Sequence, residues 1–340
     1  MSQDALLEPL SELDLLNKYL GVRSVLYARE GHPLWIVNCC GQGDTRSALR
    51  CASWVREQQE NDPTQILRTL NLAVDEPTMT ALERDLDPYQ SEAVNVLGSL
   101  EQSLDRVLRT IGSSPAFVTL DPLIGGGVRI DSLARLISRR GRRTELLLRL
   151  DASSLEILFD TAPEERLDQL IGSSLWRRLW REGEQLANLT RISVLYRACL
   201  QRRGYSHARK IALRDQPLGA PQTQLLFATR SQSAVVLMSD LVCRYRRQES
   251  EDAPPRPDEL SDRVCRFGAD LGTASTNQIL RGLSGELFGQ FTTQEYREAI
   301  SRLLTRGTIV GPDRESLTDE DPLSFNSSTQ MALFDTAAVL

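Results

Sequence analysis

Two kinds of residue in this chain could do chemistry at a shared place: carboxylates that end apolar runs, and glycines that follow such runs. Pro115-Ala116-Phe117-Val118-Thr119-Leu120 runs into Asp121-Pro122 and is followed by Gly125-Gly126-Gly127. Leu34-Trp35-Ile36-Val37 runs into Asn38-Cys39-Cys40-Gly41-Gln42-Gly43, and Leu70-Asn71-Leu72-Ala73-Val74 into Asp75-Glu76. A buried strand that delivers a carboxylate and then a glycine loop presents that group at the carboxyl edge of a doubly wound α/β sheet. At such an edge a glycine turn lets the backbone approach a nucleotide-type cofactor, and an acid after the second strand reaches the ribose hydroxyls. The candidate cofactor-binding residues are therefore Gly41, Gly43, Asp75 and Glu76. The candidate catalytic residue is Asp121, whose carboxylate could accept a hydrogen bond from a target amine; the preferred reading of Asp121 is as the cap of the following turn, with Pro122 ending the strand.

The elements that must position these groups follow from periodicity. Strands are expected at about 34–40, 67–75, 94–97, 116–121, 144–151, 207–214 and 223–229, with helical stretches at about 45–60, 78–86, 99–111, 130–139 and 154–160. In the stretch 99–111, Leu100, Leu104, Val107, Leu108 and Ile111 form one apolar face while Glu101, Asp105 and Arg109 face out. Alternation of this kind predicts parallel strands with helices on both faces. The last two strands are joined only by a loop with Pro217, Gly219 and Pro221, too short for a crossover helix, which requires an antiparallel pair. Five parallel strands plus an antiparallel hairpin is the arrangement of the Rossmann-like class I methyltransferases, so the expected fold is a doubly wound α/β sheet of that type. A helical insertion is expected at 163–203, where Trp176 and Trp180 read as core, and a helix at 233–246.

The methyltransferase-like domain is thus placed at 1–247. The polar, proline-rich stretch beginning at Gln248 marks a linker over 248–260. Beyond it, Thr292 caps an amphipathic helix that Gly307 stops before the apolar Ile309-Val310, the pattern that ends a winged helix. A winged-helix-like domain is expected at 261–310, with an acidic, flexible tail at 311–340. DNA contact by that helix is weighed against Glu295 and Glu298, which accompany its Arg297, Arg302 and Arg306.

The chain of 340 residues is 41% hydrophobic and 25% charged, as in ordinary globular proteins, and no apolar run reaches the roughly 20 residues that span a bilayer. No membrane association is expected. Met1 to Asp14 carries acids and no basic residue, so neither a secretory signal nor a transit peptide fits, and a cytoplasmic location is expected. The six cysteines include no pair at zinc-ribbon spacing, and with two histidines they predict buried thiols and no metal. Between Arg129 and Arg247, 21 arginines and Lys210 stand against 12 acids, a balance of +10 that leaves −16 for the rest of a chain whose total is −6. Solvated helix faces explain such an excess, and so does an anionic partner such as nucleic acid. Arg139, Arg140, Arg142, Arg143, Arg177 and Arg178 are the nucleic-acid-binding candidates.

Several separated segments resemble the three-Cys-motif partner proteins, a prokaryotic family with a methyltransferase-like domain and a helical carboxyl-terminal domain. They are Ala116–Pro122, Leu170-Ile171-Gly172-Ser173-Ser174-Leu175-Trp176-Arg177-Arg178-Leu179-Trp180, Leu225–Arg230 and Leu303–Ile309, which with their surroundings span about residues 15 to 310 in the family's order. The resemblance implies a protein partner, a separate cysteine-motif protein, and a setting among mobile or defence genes; it implies no settled reaction. The family and the methyltransferases place an acid at the position of Val37, methyltransferases a first glycine at Cys39 and many of them an adenine-contacting acid near Ser99. Phenylalanine and glycine are usual in the family where Leu123 and Ile124 stand, so the ring that would stack on a flipped base is missing. Asn38 could turn in as a neutral substitute but brings no charge to hold the ammonium of S-adenosylmethionine. The expectation is a degenerate cofactor pocket with no cofactor bound, in a partner or scaffold protein of a nucleic-acid-associated system. The alternative is an active S-adenosylmethionine-dependent nucleic-acid methyltransferase with Asp75 on the ribose and Asp121 at the target amine.

Overall fold

The computed structural model describes residues 12–40, 45–123, 127–139, 143–211, 223–248, 257–312 and 318–325. The chain divides into two compact units, one of Leu16–Ser231 and one of Gln232–Leu340 with Met1–Leu15.

The larger unit is a seven-stranded sheet. Its strands are β1 (Leu34–Cys40), β2 (Leu67–Ala73), β3 (Ala93–Leu97), β4 (Ala116–Leu120), β5 (Thr144–Asp151), β6 (His207–Ile211) and β7 (Thr223–Thr229), in the order β3-β2-β1-β4-β5-β7-β6. The first five are parallel and β7 runs antiparallel between β5 and β6. These strands sit within three residues of their expected places. β2 and β4 stop before Asp75 and Asp121 because those side chains accept backbone N–H groups of the turns that follow.

Helices cover both faces. On one, α4 (Leu100–Ile111), α5 (Ile130–Ser138), α6 (Ala152–Thr161) and α9 (Gln185–Arg202) pack against Val37, Leu70, Leu72, Val96, Val118, Leu146 and Leu148 as one core. The insertion is helical as expected, with α7 (Glu164–Ile171) and α8 (Trp176–Leu179) ahead of α9. Its aromatics are core: Trp180 stacks on Phe159 at 3.9 Å between ring centroids, and Trp176 meets the same ring edge-on at 5.1 Å. The other face carries α2 (Arg46–Asn61), α3 (Glu76–Asp85) and α1 (Glu12–Arg29), of which the part from Leu16 on belongs to this unit.

Helix α1 was not foreseen. Its buried face holds Arg23 and Ser24 among Leu15, Tyr19, Leu20 and Tyr27, while Val22 and Leu26 are exposed, which blurs the amphipathic pattern. The buried arginine has a partner in the sheet. Glu145 of β5, 4% exposed, accepts Tyr19 Oη at 2.7 Å and Arg23 Nη2 at 2.5 Å. Burial works against the Arg23 charge, but Glu145, Tyr19 and Tyr27 outweigh it and hold the guanidinium protonated above its ordinary value.

The smaller unit holds α10 (Gln232–Gln248), α11 (Pro257–Leu271), β8 (Thr273–Ser275), α12 (Thr276–Glu286), α13 (Thr293–Thr305), β9 (Ile309–Val310) and β10 (Pro322–Phe325). Its sheet has the order β8-β10-β9, antiparallel throughout. Three expectations are corrected here. Residues 232–247 group with this unit and not with the sheet domain, because α10 packs on α12 and Ser239 Oγ accepts the Gly289 N–H at 2.9 Å. The expected linker over 248–260 is shortened by α11, which starts at Pro257. The expected flexible tail contributes β10, whose Leu323 and Phe325 are buried in the same core as Tyr296, Ile300 and Leu303.

Candidate functional site at the carboxyl edge of the sheet

Among the described residues at the carboxyl edge, Asp75, Ser99, Asp121 and Asp151 each bond to the backbone of the turn or helix that follows. After β2, Asp75 Oδ1 accepts the Thr78 N–H at 2.8 Å and caps α3; bonds from the Thr78 side chain first and its backbone second hold the Asp75 carboxyl below its ordinary value. Glu76 is exposed in the first turn of α3. After β3, Ser99 forms a capping box with Gln102 at the start of α4. After β4, Asp121 Oδ1 accepts the Leu123 N–H at 2.9 Å in an Asx turn. After β5, Asp151 Oδ1 accepts the Ser154 N–H at 2.9 Å and caps α6.

Asp121 is half-buried, and its charge reaches the fully buried Tyr196. Burial first, and then Asp121, push the Tyr196 phenol well above its ordinary value, so it stays neutral. Beyond Asp121, Val128 N–H donates to Pro122 O at 2.8 Å, and Gly127 holds a left-handed φ of 75° where an added Cβ would press on Leu170 and on the Pro122 carbonyl.

A feature absent from the sequence reading runs behind this edge. Asn38 Nδ2 donates to Asn71 Oδ1 at 3.0 Å, Asn71 Nδ2 to Asn95 Oδ1 at 3.1 Å, and Thr119 Oγ1 to Asn38 Oδ1 at 3.2 Å. The four residues are register partners on neighbouring strands in the order β3, β2, β1, β4, and Asn38 and Asn71 are buried. The expected role of Asn38 as a neutral stand-in toward a cofactor is therefore corrected: its amide is bonded within the ladder on both sides. The signal was present, since each asparagine stands two residues before the end of its strand between apolar neighbours.

Val37 is fully buried in the core beside Leu70, Leu72 and Val118, where a carboxylate would lie among apolar side chains. Cys39 is half-buried and packs on that core. Gly41 and Gly43 lie outside the described residues, as do Arg140 and Arg142. Among the described residues no three His, Cys, Asp or Glu side chains gather as metal ligands, and no helix is long and apolar enough to cross a membrane.

Three of the six arginine candidates, Arg139, Arg143 and Arg177, are bonded within the fold. Arg139 donates to Thr144 Oγ1 at 2.8 Å and to the Gly112 carbonyl at 2.9 Å, and burial lowers its guanidinium to about 10. This corrects its reading as a nucleic-acid contact. Arg143 pairs with Glu30, and Arg177 grips Asp168 through two bonds of 2.9 Å while also meeting Glu164 at 2.8 Å. Arg178 is exposed. Elsewhere in the basic stretch, Arg129, Arg135, Arg191, Arg203, Arg244 and Arg247 also pair with carboxylates.

Strand order β3-β2-β1-β4-β5-β7-β6, with only β7 reversed, decides the architecture. The larger unit has the Rossmann-like class I methyltransferase fold. No protein-family model and no curated protein matches the chain. Among solved structures it is similar to an O-methyltransferase from Bacillus cereus in complex with SAH, with 11% identity over 64% of this chain and 81% of that one, TM-score 0.35. It is similar likewise to the O-methyltransferase TomG from Streptomyces achromogenes in complex with SAM, with 11% identity over 65% and 82%, TM-score 0.35. A third is the geranyl diphosphate C-methyltransferase from Streptomyces coelicolor, with 12% identity over 65% and 79%, TM-score 0.28. At such scores the fold assignment rests on the strand order.

Three positions at which the sequence reading looks for cofactor contacts have other surroundings in the structure. Val37, where an acid was sought, is in the core; Ser99, where a second was sought, caps α4; and Asp75 Oδ1 accepts an N–H of α3.

Proposed function

We propose that this chain is a methyltransferase-like partner or scaffold protein with a degenerate cofactor pocket, of the three-Cys-motif partner kind, in a nucleic-acid-associated prokaryotic system. The observation that carries the reading is the commitment of Asp75, Ser99, Asp121 and Asp151 to helix caps and turns, with Val37 in the core behind them. A sheet edge organised this way stabilises its own loops and offers a bound cofactor few groups. We further infer that α11 to β10 form a winged helix: the connectivity helix, strand, helix, helix, strand, strand and the order β8-β10-β9 support it, with α13 in the place of the recognition helix.

The test is calorimetric titration of the purified chain with S-adenosylmethionine and S-adenosylhomocysteine, beside an active methyltransferase as positive control. No saturable heat is expected. A micromolar isotherm, abolished by Asp75→Ala, would overturn the reading and make the protein an enzyme candidate with Asp121 as the next residue to change.

A further inference from the structure

The smaller unit contains a cavity of about 240 Å³ between the start of α12 and the outer face of α13, lined by Thr276, Gln294, Arg297, Glu298, Ser301 and Asp319 among others. Beside the carboxylates of Glu298 and Asp319, its walls combine three features of an anion seat. Thr276 is the first residue of the eleven-residue α12, so the partial positive charge of a helix start lies at the wall. The guanidinium of Arg297 is a second positive group. The hydroxyls of Thr276, 2% exposed, and of Ser301 are buried and have no hydrogen-bond partner among the described residues. Such hydroxyls are satisfied by an oxygen that reaches them once the segment covering the cavity moves.

The chain's own acids sit at this place. Asp319 takes the Arg297 fork through both oxygens, at 3.1 and 2.6 Å, and its carbonyl accepts the Asn277 N–H of α12 at 2.8 Å. Glu320 accepts Asn277 Nδ2 at 2.5 Å. A guanidinium fork and a helix-start N–H are the groups that proteins use to grip a phosphate. Arg297 first holds the Asp319 carboxyl below its ordinary value, so Asp319 is an anion there at neutral pH.

Resting on the winged-helix reading of this unit, we propose that the face formed by α12 and α13 is a phosphate-binding site which Asp319 and Glu320 occupy in place of a phosphate, so that it takes the backbone of a nucleic acid only when that segment is displaced. Concave shape, buried hydroxyls and an arginine on the helix in the recognition position all suit a backbone phosphate. The two acids explain why the intact chain would bind weakly.

The experiment uses the full chain and a short labelled DNA duplex, followed by fluorescence anisotropy at low and physiological salt. Asp319→Asn/Glu320→Gln is expected to tighten binding about tenfold, while Glu259→Gln/Asp262→Asn, the same charge change on α11, tightens it less than about twofold. Adding Arg297→Gln to the first pair is expected to cancel the gain, and Thr276→Val, which removes only a hydroxyl, to reduce it. Equal tightening by both pairs, or a gain that survives Arg297→Gln, overturns the proposal. A second arm measures thermal stabilisation of Asp319→Asn/Glu320→Gln by inorganic phosphate. If phosphate stabilises this variant but not its Arg297→Gln derivative, and no variant binds duplex, the phosphate seat stands while the nucleic-acid part of the proposal and the winged-helix reading behind it fall. If neither duplex nor phosphate binds, the seat itself is refuted.

Discussion

Glu145 shows how a single residue can be costly and well tolerated at once. It is a carboxylate inside a sheet, tolerable because Arg23 and Tyr19 from α1 complete its bonds. A buried ion pair contributes little against an apolar replacement, but removing one member leaves the other charged and unpaired. Glu145→Ala is therefore expected to destabilise the larger unit by about 3–5 kcal/mol in urea unfolding. The combination Tyr19→Phe/Arg23→Met/Glu145→Leu should recover most of that loss. If the triple variant is no more stable than Glu145→Ala, the network is doing more than neutralising itself. The asparagine ladder belongs to the same scale. Its members were visible as polar residues in apolar strands, but which of them met across the sheet depended on register, and a one-residue slip would have turned each to the other face.

At the scale of elements, the strands of the larger unit were legible because β-branched and leucine-rich runs are cut off by Gly, Pro and Asp, and α4 because its apolar face is regular and its cap is written as Ser99-Leu100-Glu101-Gln102. Helix α1 was illegible for the opposite reason: it buries an arginine and exposes a valine and a leucine, and only Glu145, over a hundred residues away, makes that sensible. In the smaller unit, Gly282 illustrates a constraint set by packing. It lies inside α12, where alanine has the better helix propensity, yet a Cβ there would overlap the ring of Phe267 on α11. Gly282→Ala is expected to cost about 1–3 kcal/mol in thermal unfolding, despite that propensity, and Phe267→Leu in the same chain to return part of it. Stabilisation by Gly282→Ala alone would show that α11 and α12 can separate without cost.

At the scale of the molecule, each unit has its own buried core, one around the seven-stranded sheet and one around Leu260, Ile279, Tyr296, Ile300 and Leu323. Independent cores predict independent folding. Fragments 12–231 and 232–340, produced separately, are each expected to unfold cooperatively with a defined near-ultraviolet signal; a fragment 248–340, cut where the linker was first placed, should lose stability because it lacks α10. If 248–340 were as stable as 232–340, the earlier boundary would be the right one.

The amino-acid order alone determined the alternation of strands and helices and the antiparallel hairpin, since these depend on local pattern and on residue identity. Tertiary structure decided the fate of the polar groups. Whether Asp75 or Asp121 faces a ligand or caps a turn, whether Arg139 meets a phosphate or a carbonyl, and whether the acids near the end are solvated or seated on Arg297 are questions of which atoms come within about 3 Å of one another. Such distances are set by the packing of segments far apart in the chain, and a polar side chain in isolation carries the same bonding capacity for either use.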